Sequence, residues 1–147
     1  MKLRILDNSI RLRLDRSEVA RASRGELVEG RTRFPGGRHL SYVLEIGERG
    51  PDAEFHESCI RLFFPLESVK VWSEEITAIS LRAEVREAGK SPLALLVEKD
   101  FECLNPREGE DNSNRFSNPK KRIIEIQYKQ NSATPVKNDA ASMLRLT

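Results

Sequence analysis

Residues 40–45, with the sequence LSYVLE, return in related form as LALLVE at residues 93–98. An identical run, IRL, occupies residues 10–12 and again residues 60–62, so the two pairs follow one another in the same order. Anchor residues that repeat in a constant order indicate an internal repeat, in which two units that cannot each bury an apolar face pack together. The alternative is a chance coincidence of two amphipathic patterns.

Each repeat predicts a strand, a short helix and a hairpin, because alternating apolar residues are typical of strands and three-residue spacing of helices. In the first unit, Asp15 and Glu18 form a candidate capping box that begins the helix. In the second unit, Pro65 suits the first helical position. The predicted strands are 9–14, 26–34 and 39–46, then 59–64, 77–85 and 93–101, with a further strand at 2–6 that forms a hairpin with the first.

These elements predict an α+β fold, a tandem repeat of a strand-helix-hairpin (βαββ) unit that forms mainly antiparallel sheet with two short helices. The units span about 9–46 and 59–101 of a single domain at 1–119, joined by a Gly-, Pro- and charge-rich linker at 47–52. A pseudo-two-fold arrangement is one expected outcome. The strand at 93–101 is apolar on both faces, which predicts a central position.

Two core pairs are expected from the superposition of the units. Ile10 and Leu12 with Ile60 and Leu62 are predicted to be buried, while Arg11 and Arg61 face the opposite side of the sheet.

The segment 120–147 follows the repeat and is interpreted in two parts. Residues 122–129 place Ile124, Ile126 and Tyr128 on one face and predict either an added edge strand or an exposed apolar run. Residues 130–147 are polar without period, and we expect them to form a disordered tail.

Composition and terminal sequence indicate a soluble cytoplasmic protein. Of the 147 residues, 38% are hydrophobic and 33% are charged, which is typical of a globular chain. No run approaches the length of a membrane span, and the first residues lack the apolar region of a secretory signal. Cys59 and Cys103 are expected to be free thiols, because cytosolic thiols are normally reduced.

Charge is unevenly distributed, since residues 1–38 hold ten Lys or Arg and five Asp or Glu. A basic region can attract phosphates. Arg11 and Arg13, however, alternate with apolar residues, which is typical of the solvated face of a strand. We therefore do not expect nucleic acid or a membrane as a partner.

No motif predicts a catalytic residue, a cofactor or a metal. The strand-to-helix turns lack the glycines that cradle phosphates. His56 and Cys59 are spaced as zinc ligands, but Cys103 has no partner nearby in the sequence. The acidic loop at 108–114 departs from the spacing of an EF-hand.

The sequence resembles a small bacterial family that is known only as a domain of unknown function. The resemblance runs from Met1 to about Pro119. It is carried by MKLRI at 1–5, NSIRLRL at 8–14, VEKDFECL at 97–104, ED at 110–111 and FSNP at 116–119. The resemblance implies a compact cytoplasmic bacterial protein and brings no activity, cofactor or catalytic residue.

A cluster of charges, Glu98, Lys99 and Asp100, ends the most apolar strand, where binding residues often lie. The competing interpretation is that Glu98 and its repeat partner Glu45 pair across strands with Arg61 and Arg11. The segment beyond has no period and must be held by specific contacts if it is ordered. We expect Phe101 and Phe116 to anchor this segment, and we predict a binding surface made of Lys99, Asp100, Arg107, Glu110 and Asp111.

Two functions remain open. The first is a non-catalytic binding or regulatory module whose repeats form a groove or a homodimer face, or contact a protein partner. The second is a small enzyme with a cleft between the repeats that uses Cys103 or the cluster of Glu98, Lys99 and Asp100.

Overall fold

The computed structural model describes residues 1–132. Its elements are β1 (Lys2–Leu6), β2 (Ser9–Leu14), α1 (Arg16–Ser23), β3 (Val28–Arg33), β4 (His39–Gly47), β5 (Asp52–His56), β6 (Cys59–Pro65), α2 (Leu66–Glu74), β7 (Ser80–Val85), β8 (Leu93–Lys99) and α3 (Pro119–Ser132). The chain is α+β, as predicted.

The internal repeat is confirmed, and each unit is longer than the predicted βαββ. Two strands, one helix and two strands form the first unit, from β1 to β4, and the same order returns from β5 to β8. The additional strand of the second unit is β5, which the sequence analysis did not predict. The reason is its composition, since DAEFH mixes charges with apolar residues and lies largely exposed at a sheet edge.

The connection between the units is tighter than the linker predicted at 47–52. Gly47 ends β4 and Asp52 begins β5, so only residues 48–51 lie between strands. Turn-forming Gly and Pro therefore mark a short ordered loop in this case.

The two units exchange hairpins, so that each of the two sheets is built from strands of both units. One sheet has the order β1-β2-β8-β7 and the other has the order β3-β4-β6-β5. The central pairs, β2 with β8 and β4 with β6, are parallel, and the outer pairs are antiparallel. Each sheet thus contains one hairpin from each unit, so neither unit completes a sheet alone.

The parallel central pairs also determine where strands end together. In the first sheet, Leu14 of β2 lies opposite Lys99 of β8. In the second sheet, Pro65 of β6 lies opposite Gly47 of β4. These two equivalent ends differ strongly in their chemistry.

The inward faces of both sheets share one core with α1 and α2. Leu12 and Leu62 are fully buried, Ile60 is buried, and Ile10 packs against the core while partly exposed. The side chains below 2% exposure include Phe64, Leu14, Leu44, Leu95, Val28, Val69 and Val97. Removal of this apolar area from water is the main stabilising contribution.

The two repeat helices begin differently. Asp15 caps α1, since its carboxylate accepts a hydrogen bond from the Glu18 amide and Glu18 accepts one from the Asp15 amide. This confirms the predicted capping box. Pro65 is the N-cap of α2, one residue before its predicted position, and provides no side-chain hydrogen bond.

The prediction of an edge strand at 122–129 is wrong, because these residues belong to the helix α3. Its N-terminal signal is Asn118-Pro119, where the Asn118 carboxamide oxygen accepts a hydrogen bond from the Lys120 amide. Asn favours the N-cap and Pro the first helical position. The isoleucines at 123, 124 and 126 fit either period, and the start signal decides for a helix.

The disordered tail predicted at 130–147 falls from residue 133 onward outside the described residues. Within residues 1–132, no helix has the length and hydropathy needed to span a membrane.

Candidate functional site

The candidate site lies where β2 and β8 end together. Beyond β8 the chain forms a segment, residues 100–118, that we call the strap. The Asp100 amide donates a hydrogen bond to the Leu14 carbonyl over 2.8 Å, and the Phe116 amide donates to the Asp100 carbonyl over 2.9 Å. Phe101 and Phe116 thereby form a parallel bridge. The strap thus continues the sheet beyond its regular strands.

The strap is anchored by aromatic and polar contacts. The rings of Phe101 and Phe116 lie 6.0 Å apart in a tilted arrangement, and Phe116 packs against the hydrophobic core. The Arg16 amide, at the start of α1, donates to the Asn114 carbonyl over 2.9 Å. The predicted anchoring is therefore confirmed for Phe116, whereas Phe101 contacts the ring of Phe116.

A pocket of about 330 Å³ lies between the strap, the start of β1, the end of β2 and the start of α1. Charged and polar side chains dominate its wall. The lining residues are Met1, Lys2, Arg13, Asp15, Glu18, Asp100, Asp111, Asn114 and Arg115.

Asp100 connects the two cationic parts of this wall. Its carboxylate accepts a hydrogen bond from the Lys2 ammonium over 2.7 Å and lies 3.5 Å from Nε of Arg115. Asp100 is only 7% exposed, so these two partners offset the cost of burying its charge. Arg115 also donates to Glu110 over 2.9 Å, and this hydrogen bond raises the pKa of Arg115 and lowers the pKa of Glu110. Both side chains therefore stay ionised at neutral pH.

The opposite part of the wall is acidic. Asp15 and Glu18 form the capping box of α1, and Glu18 also pairs with the amino group of Met1. Asp111 accepts a hydrogen bond from the Ser113 amide over 2.9 Å, and hydrogen bonds from Ser113 lower the pKa of Asp111. Charges of both signs thus border one cavity.

The five residues predicted to bind do not all meet in this pocket. Asp100 and Asp111 line it, and Glu110 joins it through Arg115. Arg107 is exposed, and its amide donates to the Glu110 carboxylate over 3.3 Å. Lys99 lies on the other side of β8, because successive residues of a strand point to opposite faces.

Lys99 is buried among hydrophobic neighbours, with 5% of its surface exposed. Its ammonium donates to the Glu75 carbonyl over 2.7 Å and lies 5.5 Å from the Trp72 ring. Burial lowers the pKa of Lys99. Glu75 is the C-cap of α2, where a cation interacts favourably with the helix dipole. Lys99 therefore connects β8 to the end of α2.

Glu98 lies on the outer face of the first sheet with the arginines of β2. Its carboxylate is 3.6 Å from Arg11 and 3.5 Å from Arg13. In the second sheet, Arg61 donates to Glu45 over 2.7 Å. Both glutamates pair across strands as expected, but the predicted partners are wrong: Glu98 lies against Arg11 rather than Arg61, and Glu45 pairs with Arg61 rather than Arg11. The reason is that β2 pairs with β8 and β4 pairs with β6, so each arginine meets the glutamate of its own sheet.

Several lining residues escaped the sequence analysis. Lys2 and Asp100 are almost a whole domain apart in the chain, and only the parallel pairing of β2 with β8 brings them together. Arg115 lay in a segment without period. Asp15 carried a signal, the capping box, which predicts a helix start and carries no information about a pocket.

The cysteines are both free thiols, as expected. Cys59 is half-buried and Cys103 is exposed, and neither lines the pocket. Among residues 1–132, no three His, Cys, Asp or Glu side chains are grouped to hold a metal ion.

The fold and the site define an α+β protein of two ββαββ units with exchanged hairpins and a polar pocket at one sheet end. The chain belongs to a family of unknown function, DUF7009, whose model matches residues 1–120. This agrees with the resemblance stated over residues 1–119. Searches of curated proteins and of solved structures gave no match.

Proposed function

We propose that this protein is a non-catalytic binding module whose pocket at the end of β2 and β8 takes a small ligand with charges of both signs. The supporting observation is that the strap borders an open pocket of about 330 Å³ that is lined by cationic and acidic side chains. Pockets that bind small molecules begin at about this volume.

The charge of the wall determines the class of ligand. Lys2, Arg13 and Arg115 supply cations, and the acids among the lining residues are Asp15, Glu18, Asp100 and Asp111. The two signs nearly balance, so the wall favours neither a purely anionic nor a purely cationic occupant. A zwitterion such as a free amino acid satisfies both parts.

The three charges at the end of β8 favour binding over catalysis. Glu98 faces the arginines outside the sheet, Lys99 faces the core, and Asp100 faces the pocket. General acid-base chemistry requires two groups within reach of the same substrate. Groups that point in different directions are better suited to holding elements together.

A thermal-shift screen with free L-amino acids tests the proposal, with citrate and spermidine as ligands of a single sign. We expect one or more amino acids to raise the melting temperature, because a ligand that binds only the folded state stabilises it. Isothermal titration of the best amino acid should then give an affinity about tenfold lower for Asp111→Asn.

Glu108→Gln is the matched control, since Glu108 lies in the same strap and outside the pocket. It should bind the amino acid as the unmodified protein does. The proposal is wrong if no amino acid stabilises the protein, if only citrate or spermidine does, or if both variants lose affinity equally.

A further inference from the structure

The hairpin of β3 and β4 carries a second cluster of charged and aromatic side chains. Its composition differs from that of the pocket. Its turn, Pro35–Gly37, is a 3-10 helix in which Gly36 and Gly37 adopt φ of 78° and 74°. The Phe34 amide donates to the Arg38 carbonyl over 2.8 Å and closes the turn. We call the cluster the arginine tip, and it comprises Arg31, Arg33, Phe34, Arg38 and His39.

The arginine tip is strongly cationic. Arg33 lies opposite His39 in the register, and Arg31 lies two residues along the same face of β3. None of the three arginines forms an ion pair with a carboxylate of residues 1–132. They border a shallow depression of about 270 Å³, whose wall within the described chain contains no acidic residue.

The equivalent hairpin of the second unit differs in this respect. Two of its three cations at the strand and turn are paired locally, since Arg86 pairs with Glu84 over 2.5 Å and Lys90 pairs with Glu87 over 2.7 Å. The same element of the repeat therefore carries mostly paired charge in one unit and unpaired charge in the other. Unpaired guanidinium groups are available to an external anion.

Phe34 adds an aromatic surface to the arginine tip. Its side chain is 51% exposed and lines the depression beside Arg33 and Arg38. Proteins that bind single-stranded nucleic acid combine guanidinium groups for the phosphates with exposed rings on which bases stack. A simple anion would use the arginines and leave the ring without a partner.

We propose that the arginine tip binds single-stranded nucleic acid, with its three arginines on the phosphates and Phe34 stacked on a base. The site is separate from the pocket and does not depend on the pocket's ligand. The sequence-based expectation that nucleic acid is not a partner was based on Arg11 and Arg13. The fold pairs these two arginines with Glu98. The arginines of the tip are different residues with different surroundings.

Fluorescence anisotropy with a labelled oligouridylate of about fifteen nucleotides tests the proposal, because such a strand covers a typical binding site. The triple variant Arg31→Gln, Arg33→Gln, Arg38→Gln should bind at least about tenfold more weakly at low salt. The slope of log affinity against log salt should become shallower by about 2, which corresponds to three lost phosphate contacts. Phe34→Ala should weaken binding by about fivefold or more and leave the slope unchanged.

The matched control removes three cations from the equivalent hairpin by Arg82→Gln, Arg86→Gln and Lys90→Gln. This variant should bind the oligouridylate within about threefold of the unmodified protein, since Arg86 and Lys90 are already paired. Melting curves verify that each variant is folded, and the single variant Arg38→Gln replaces the triple variant if the latter unfolds.

Three results would overturn the proposal. The first is no binding of the oligouridylate by the unmodified protein at low salt. The second is an equal loss of affinity in the two triple variants, which would reflect overall charge. The third is binding of phosphatidylserine vesicles, but not of the oligouridylate, through the arginine tip.

Discussion

The two equivalent ends of the central strand pairs have opposite chemistry. Where β2 and β8 end, Asp15 caps α1, and the strap returns beside it and borders a charged pocket. Where β4 and β6 end, Pro65 caps α2 without a side-chain hydrogen bond, and the chain turns directly into β5. The same unit, used twice, therefore carries a candidate site at only one of these two ends.

The contrast arises in the connections that follow the last strand of each unit. After β4, Arg49 pairs with Asp52 and Glu54 at 2.6 Å each, and its guanidinium lies 3.9 Å from the centre of the Phe63 ring. Gly50 lies so close that an added Cβ would meet the Phe63 carbonyl oxygen at 2.5 Å. Arg49 is thus paired within this short connection and the strand that follows it. The longer strap also contains an internal ion pair, Arg115 with Glu110, and its Asp100 in addition reaches Lys2 at the start of β1.

The largest expected effect tests whether the two units contribute equally to the core. Leu12 and Leu62 are equivalent and fully buried, so Leu12→Ala and Leu62→Ala should each lower the free energy of unfolding by about 2–5 kcal/mol. Urea denaturation measures the change. Val71→Ala, at a side chain that is 63% exposed, should stay within about 0.5 kcal/mol. A change within about 0.5 kcal/mol at only one of the two leucines would show that the two units do not contribute equally to the core.

A second prediction concerns the strap. Phe116→Ala removes a partly buried ring that contacts Phe101, and we expect a loss of about 1–2 kcal/mol of stability. Hydrogen exchange gives the sharper measurement, because the amides of Arg16, Glu102 and Phe116 donate to carbonyls within this region. Their exchange should accelerate in the variant, while the amide of Ala53 in β5 keeps its rate. Unchanged rates at all four amides would mean that the ring does not hold the strap.

A third prediction uses the capping difference between the helices. Asp15→Ala removes the acceptor of the Glu18 amide and should cost about 1 kcal/mol. Asp15→Asn retains an oxygen acceptor and should cost less than half of that amount. Thermal or urea denaturation of both variants provides the comparison. Equal losses would show that the negative charge, rather than the hydrogen bond, stabilises the start of α1.

The smallest effect is a pH dependence at Lys99, whose place in the second unit corresponds to buried Ile46 in the first. Because burial lowers its folded pKa, the unfolded chain binds more protons between that pKa and about 10.4. The free energy of unfolding should therefore rise with pH in this window. Denaturation at pH 7 and near pH 10 should show the unmodified protein gaining stability relative to Lys99→Met.

Lys70→Met is the control for this measurement, since Lys70 lies partly exposed on α2. The free energy of unfolding of this variant at the same two pH values provides the baseline for a Lys→Met replacement. A difference between Lys99→Met and the unmodified protein that stays constant with pH would mean that Lys99 titrates alike in the folded and unfolded chains.

The sequence by itself determined the repeat, the element types within each unit except for the strand β5, and the core leucines Leu12 and Leu62. These features depend on local periodicity, and the period places Leu12 and Leu62 on buried faces whatever strand lies beside them. The capping box at Asp15 was equally local. The isoleucines of α3 are compatible with both the strand period and the helix period, and the prediction of a strand there was wrong. The helix-start signal at Asn118 and Pro119 distinguishes the two.

Only the tertiary structure decided which charges meet. The contact between Lys2 and Asp100 requires β2 to pair with β8 in one register, and a different partner strand would have separated them. The same pairing brings Arg11 and Arg13 to Glu98. In the other sheet, Arg31, Arg33 and Arg38 of the β3–β4 hairpin border a depression whose wall, within residues 1–132, contains no acidic residue. Ion pairing depends on distances of a few ångströms between residues far apart in the chain, and no local pattern in a sequence encodes such distances.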